Sequence, residues 1–184
     1  MSTLKVNSII PVAGVPTGGG GGIIQIKQAY KTDVFSSTSS GTHDITGLSV
    51  SITPTSASSK ILVQCDLCGH THNGMGGSFK MKRTISGSST VIGLADTASN
   101  RQTSSFSGTA YTGDGGGSTF IILSVNTKFL DSPATTSAIT YQAQMVQPSA
   151  GNGVLYCVNR SENDTDNSDH TRCVSNITVM EVSA

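Results

Sequence analysis

The densest run of chemically capable side chains is Cys65-Asp-Leu-Cys68-Gly-His70-Thr-His72. Thiols and imidazoles this close are the ligand types of a zinc site. The surrounding KILVQCDLC pattern reads as a strand, and side chains of a strand alternate between faces. Cys65 and Cys68 therefore point to opposite sides. Cys68, His70 and His72 share one side and are the metal candidates of this run. No second Cys/His cluster follows in sequence, so the expectation is no bound metal and no cofactor: core or interface thiols followed by a His-bearing loop.

The other candidates read the same way. Glu162-Asn-Asp-Thr-Asp-Asn-Ser-Asp169 has the oxygen ligands of a calcium loop but lacks the Gly and closing Glu of the helical-hand pattern, and acid-rich turns arise anyway because Asn and Asp cap their own backbone. Paired carboxylates for glycoside cleavage can be drawn from Asp33, Asp44, Asp114 or Asp131, yet these read as turn residues, where Asp is expected anyway; Asp114 lies between glycines and Asp131 before Ser-Pro. There is no GxSxG elbow and no HExxH, and no Lys-Ser or Lys-Thr follows the glycine run as a phosphate loop requires. No catalytic residue is assigned, and the chain reads as a non-enzyme.

The elements that carry these residues read as strands. Apolar and polar residues alternate, or β-branched runs recur, over 23–31, 45–53, 60–68, 78–85, 90–94, 104–111, 119–130, 138–146, 154–158 and 174–182. Thr119–Leu130 is the most apolar run and is expected to be a central strand. No apolar set keeps helical spacing for three turns. About ten strands separated by turns predict an all-β antiparallel β-sandwich, jelly-roll-like. With 184 residues the chain suits one domain plus an arm.

Residues 2–10, STLKVNSII, read as a short strand that cannot stand alone. Gly18, Gly19, Gly20, Gly21 and Gly22 form an unbroken run with no propensity for either regular structure. The expected organisation is an N-terminal anchoring arm at 1–17, a glycine hinge at 18–22 and a body at 23–184. Leu4, Val6, Ile9 and Ile10 are the anchoring residues, placed by strand addition to a docking protein.

Charged residues are 12% of the chain, about half the usual share, and the formal net charge is zero. No basic stripe points to nucleic acid. No stretch has the length of a membrane span, and the N-terminus does not read as a signal peptide. A neutral, weakly charged surface is a poor colloid, so much of it is expected to be covered by copies of itself. Synthesis in a cytosol starts the four cysteines reduced, and later exposure to oxidising conditions allows one pair to join.

Four phrases carry a resemblance: STLKVNSI, SVSITPTSASSKILV, FLDSPATTSAITYQAQ and SNITVMEV. They resemble small virion structural proteins of marine and cyanobacterial tailed phages, of the kind labelled tail-fibre-like or capsid-associated, across residues 2–10, 45–63, 129–144 and 172–182. The resemblance implies a homotrimeric, jelly-roll-like body displayed on a particle assembled in the host cytoplasm. It implies partners among other virion proteins of tail or capsid, and contact with a host surface glycan or protein through loops near 70–77, 112–117 and 160–171. A fibre or appendage subunit is the leading expectation. A capsid decoration protein is the alternative, and a lectin-like module ranks below both for want of aromatic platforms.

Overall fold

In the computed structural model the described residues are 22–70, 77–108, 122–149 and 153–183. They form eleven strands: β1 (Ile23–Lys31), β2 (Phe35–Ser37), β3 (Gly41–Ile52), β4 (Lys60–His70), β5 (Gly77–Ile85), β6 (Ser88–Ile92), β7 (Phe106–Gly108), β8 (Leu123–Asp131), β9 (Ile139–Gln147), β10 (Tyr156–Val158) and β11 (Ser175–Val182). Every pairing among them is antiparallel. No α-helix occurs among the described residues.

The strands fall into two sheets. The first runs β1-β11-β4, with β8 on the far side of β4 and β10 and β2 beside its C-terminal end. The second runs β3-β9-β5, with β6 and then β7 along the outer margin of β5. The pairs β1 with β11, β3 with β9, β4 with β8, and β5 with β6 and β7 are nested in sequence, and successive pairs go to opposite sheets. A long antiparallel ribbon rolled up this way is a jelly roll, so the expected sandwich is the observed fold.

Alternation explains which face each strand buries. Ile61, Val63, Cys65 and Leu67 of β4, Ile139, Tyr141, Ala143 and Met145 of β9, and Ile177 and Val179 of β11 are all buried in one core between the sheets. Phe79 and Phe106 stack at 5.3 Å and close the core beneath β5 and β7. On β3 the alternation slips: Ile45 and Leu48 are both fully buried although three residues apart. The register shifts between Asp44 and Ser49, and Gly47 sits there at φ +81°. This bulge inserts the residue that resets the pleat, in a conformation costly for a side chain bearing Cβ.

One expectation needs correction. Among the described residues β8 pairs with β4 alone rather than lying centrally, and Leu130 at its end is exposed. The apolar TFII segment that prompted that reading lies largely outside the described residues. On β1, Ile26 and Gln28 are exposed, while Ala29 packs against the core and Lys31 is buried. The register shift between Ile23 and Gln25 sets which face turns inward. Finally, β2 was not foreseen, because three residues are too few to show a period. The anchoring residues Leu4, Val6, Ile9 and Ile10, and the hinge residues Gly18 to Gly21, lie outside the described residues.

Candidate interaction surface

The two cysteines of the Cys/His run have structural placements. Cys65 points into the core, where burial, and secondarily the charge of Asp66, push its thiol up to about 12. Cys68 points away from that core and forms a disulfide with Cys173. A sulfur in a disulfide is no metal ligand, so the candidate set of Cys68, His70 and His72 fails at its first member. His70 pairs through its backbone with Cys157 of β10, and His72 lies outside the described residues. No cluster of three metal-ligating side chains occurs among the described residues.

The disulfide belongs to a larger pin that sequence reasoning missed. Asn159 follows β10 at φ +66°, a conformation Asn tolerates better than most residues. Its backbone N–H donates to the Cys68 carbonyl at 2.8 Å, and its own carbonyl accepts from Cys173 at 3.2 Å. Its side-chain amide donates to the carbonyls of Lys31 and Asp33 at 2.8 and 2.9 Å, and accepts from the Ser175 hydroxyl at 2.6 Å. Ser175 Oγ in turn accepts from the Cys68 N–H at 3.0 Å. Asn159 and Ser175 are fully buried, and together they tie β1, β4, β10 and the start of β11. Gly69 lets this crossing happen: a Cβ there would collide with the Cys157 carbonyl oxygen.

The acidic loop is closed by cations. Asp164 pairs with Arg160 at 2.8 Å and with Arg172 at 2.6 Å. Desolvation opposes ionisation of Asp164, but these two arginines outweigh it and hold the carboxyl below the usual range. The carboxylates considered for catalysis are committed as well. Asp33 pairs with Lys31 at 2.8 Å, Asp44 with Lys82 and Gln144, and Asp131 with Arg83 at 2.8 Å and with the Tyr141 hydroxyl at 2.7 Å. Asp114 lies outside the described residues.

Glu181 of β11 is a further buried carboxylate with a stabilising role. It accepts from the Thr55 N–H and hydroxyl and from the Gln25 amide, each at 2.7 Å, joining β11 to β1 and to the turn after β3. Burial alone would raise its pKa. The hydrogen bonds from Gln25, Thr55 and Ser59 prevail and bring it to about 2. Because the folded value lies below the ordinary 4.5, this stabilisation is complete above about pH 4.5 and is lost as pH falls toward 2. Glu181→Gln should lower the Tm at pH 7 and flatten the acid limb between pH 5 and 2.5. Equal slopes for both proteins in melts across that range would refute the assignment.

The two outer faces differ sharply. In register across the second sheet lie Ser51, Thr140, Thr84 and Ser89, and next to them Ser49, Gln142, Lys82 and Val91. Hydroxyls there bond to one another, Ser51 to Thr140 and Thr84 to Ser89, both at 2.8 Å. In register across the first sheet lie instead Ile26, Met180, Leu62 and Leu130. The neighbouring row adds Ile23 and Val182. Ile23 is 57% exposed, Ile26 54% and Leu130 49%, and Leu62, Met180 and Val182 are half-buried. An apolar band thus crosses the first sheet from margin to margin.

The chain enters at the same corner. Gly22 donates its N–H to the Ser183 hydroxyl, and its carbonyl accepts from the Ser183 N–H, both at 3.0 Å. Gly22, the last of the glycine run, therefore continues the β1–β11 ladder beside the apolar band.

No family model matches the chain, and no curated relative matches it. Solved structures do match, among them the structure of infectious bursal disease virus Gx strain, with a TM-score of 0.39, 14% identity, and coverage of 94% of this chain. The chain spans 44% of that viral chain. The jelly roll is identified by the strand order itself.

Proposed function

We propose that this chain is a virion structural protein of a tailed phage, a homotrimeric appendage subunit docked to the particle by its N-terminal arm and performing no reaction. The observation that carries this reading is the corner formed by Gly22 and Ser183. Among the described residues the core is assembled from 29–179, and Gly22 meets Ser183 at the end of the β1–β11 ladder. In the sequence a run of five glycines precedes β1, a composition suited to a tether between an arm and this body. Leu4, Val6, Ile9 and Ile10 then anchor by adding a strand to a particle protein. The loop at 160–171, pinned by the disulfide and by Asp164, is the part of the described surface offered to a host glycan or protein.

The test is a chain beginning at Ile23. We expect it to fold with a Tm within a few degrees of the full chain and to be lost from purified particles. A truncated chain that fails to fold, or one that still enters particles at full occupancy, would end the proposal. Immunogold labelling confined to the tail fits an appendage; labelling over the whole shell replaces it with the decoration protein.

A further inference from the structure

We infer that the outer face of the first sheet is a self-association surface, and that the occupant of the Ile26–Met180–Leu62–Leu130 row is a second copy of this chain. The inference rests on the reading of the chain as an oligomeric particle subunit and names the surface that joins the copies.

The row is assembled by the fold, since its four members come from four strands and meet only through the registers of β1 with β11, β11 with β4, and β4 with β8. It continues into Ile23 and Val182 on one side. On the other side it meets Gln28, Thr178, Gln64 and Lys128, and beyond them Tyr30, Asn176, Asp66 and Asn126. An apolar centre bordered by polar residues is the anatomy of a protein contact. Scattered exposed apolar residues need no explanation, but a contiguous band does. The equivalent rows of the second sheet carry hydroxyls, amides and lysines, so the band is a property of one face and not of the composition.

Size and charge choose the occupant. Four strands about 4.8 Å apart, followed for some eight residues at about 3.3 Å each, give a plan of roughly 500 Å² before side-chain relief, of the same order as the roughly 800 Å² that each partner gives to a standard interface. The charged residues in these registers are Lys60, Lys128 and Asp66, so the face carries both signs and little net field. An acidic or basic partner would find no complementary field there. A copy of the same face meets no like-charge barrier, and the whole chain is formally neutral. Both ends of the row, Ile26 and Leu130, lie on margins of the sheet. Neighbouring copies can therefore continue the apolar contact around a closed ring.

The experiment measures the mass of the purified full chain by sedimentation equilibrium at micromolar concentration. Three proteins are compared: the wild type, Ile26→Lys with Leu130→Lys, and, as a control on the second sheet, Ser51→Lys with Ser89→Lys. All four positions lie outside the core, and matching circular dichroism confirms that each protein folds. We expect the wild type and the control to be oligomers. The Ile26/Leu130 variant should associate roughly thirtyfold or more weakly, the order of loss that follows when two exposed apolar contacts of an interface are replaced by charges. A monomeric wild type overturns the inference, and so does an Ile26/Leu130 variant of wild-type mass. Oxidative labelling of Met180 identifies one rival occupant: a monomer in which Met180 is shielded in the full chain but bare in the chain beginning at Ile23 assigns the band to the chain's own arm. These readouts use no particle, so a failure here is distinct from a failure of particle docking.

Discussion

Reducing the Cys68–Cys173 disulfide should lower the Tm of the folded chain by about 10–15 °C. The bond closes a sequence separation of 105 residues. A loop of that length restricts the unfolded chain by roughly 4–5 kcal/mol in the chain-entropy picture, and a domain of this size shifts by about 2–4 °C for each kcal/mol. The local structure leads to the same expectation. Cys173 lies at the end of the excursion from Asn159 to Ser175, so losing the bond frees that loop from β4 while Asn159 and Ser175 still hold its two feet. The expected product is a folded protein with a loosened 160–173 loop. Scanning calorimetry with and without reductant, alongside the Cys68→Ala/Cys173→Ala protein, checks this. The double variant should melt with the reduced wild type and be indifferent to reductant. The remaining two thiols should resist alkylation until the protein unfolds. Cys65 is fully buried with its thiol pushed up to about 12, and Cys157 is buried beneath the carbonyls of Arg160 and Ser161. A melting temperature unmoved by reductant, or an intact mass showing four free thiols in the oxidised protein, would refute the bond.

What the sequence makes legible here is set by the range of the interaction. The period of two along β4 separates Cys65 from Cys68 without any structure, and that alone weakens a four-residue metal chelate. That the partner of Cys68 is Cys173 depends on the pairing of β4 with β11, which no local pattern encodes. The alternation of β9 reveals Ile139, Tyr141, Ala143 and Met145 as one face, and that of β5 groups Arg83 with Phe79 and Met81. It does not reveal that Arg83 finds Asp131 there. On β11, the period of two sets Met180 on the face opposite Ile177 and Val179, and Met180 joins the outer band. β8 was misplaced for a related reason: being central or marginal belongs to the sheet, not to the strand. The band itself is the extreme case, four residues spread from 26 to 180 whose adjacency exists only after three registers are set.

The second large effect is expected at Asp131, where β8 ends. Its carboxylate accepts from Arg83 Nη1 at 2.8 and 2.9 Å and from the Tyr141 hydroxyl at 2.7 Å. Asp131 belongs to the first sheet, Arg83 and Tyr141 to the second, so the cluster clamps the margin of the sandwich where, among the described residues, β8 pairs on one side only. Burial, and next the hydrogen bond to Asp131, drive the Tyr141 hydroxyl pKa well above its ordinary value, so it stays a donor at every pH at which the protein folds. Asp131→Ala leaves a largely buried guanidinium and a fully buried hydroxyl without their acceptor. Removing one member of such a pair costs about 3–5 kcal/mol, with the lower end expected here because the Arg83 side chain is 20% exposed. The Tm should fall by about 6–12 °C on the same scale of about 2–4 °C per kcal/mol. Replacing both partners, as in Asp131→Leu with Arg83→Met, should recover most of that loss, because two desolvated charges leave together and apolar volume takes their place. The double-mutant cycle therefore separates a clamp that stabilises the sandwich from one that chiefly sets its register. A single Asp131→Ala variant as stable as the wild type would remove the clamp from the account of how β8 is held.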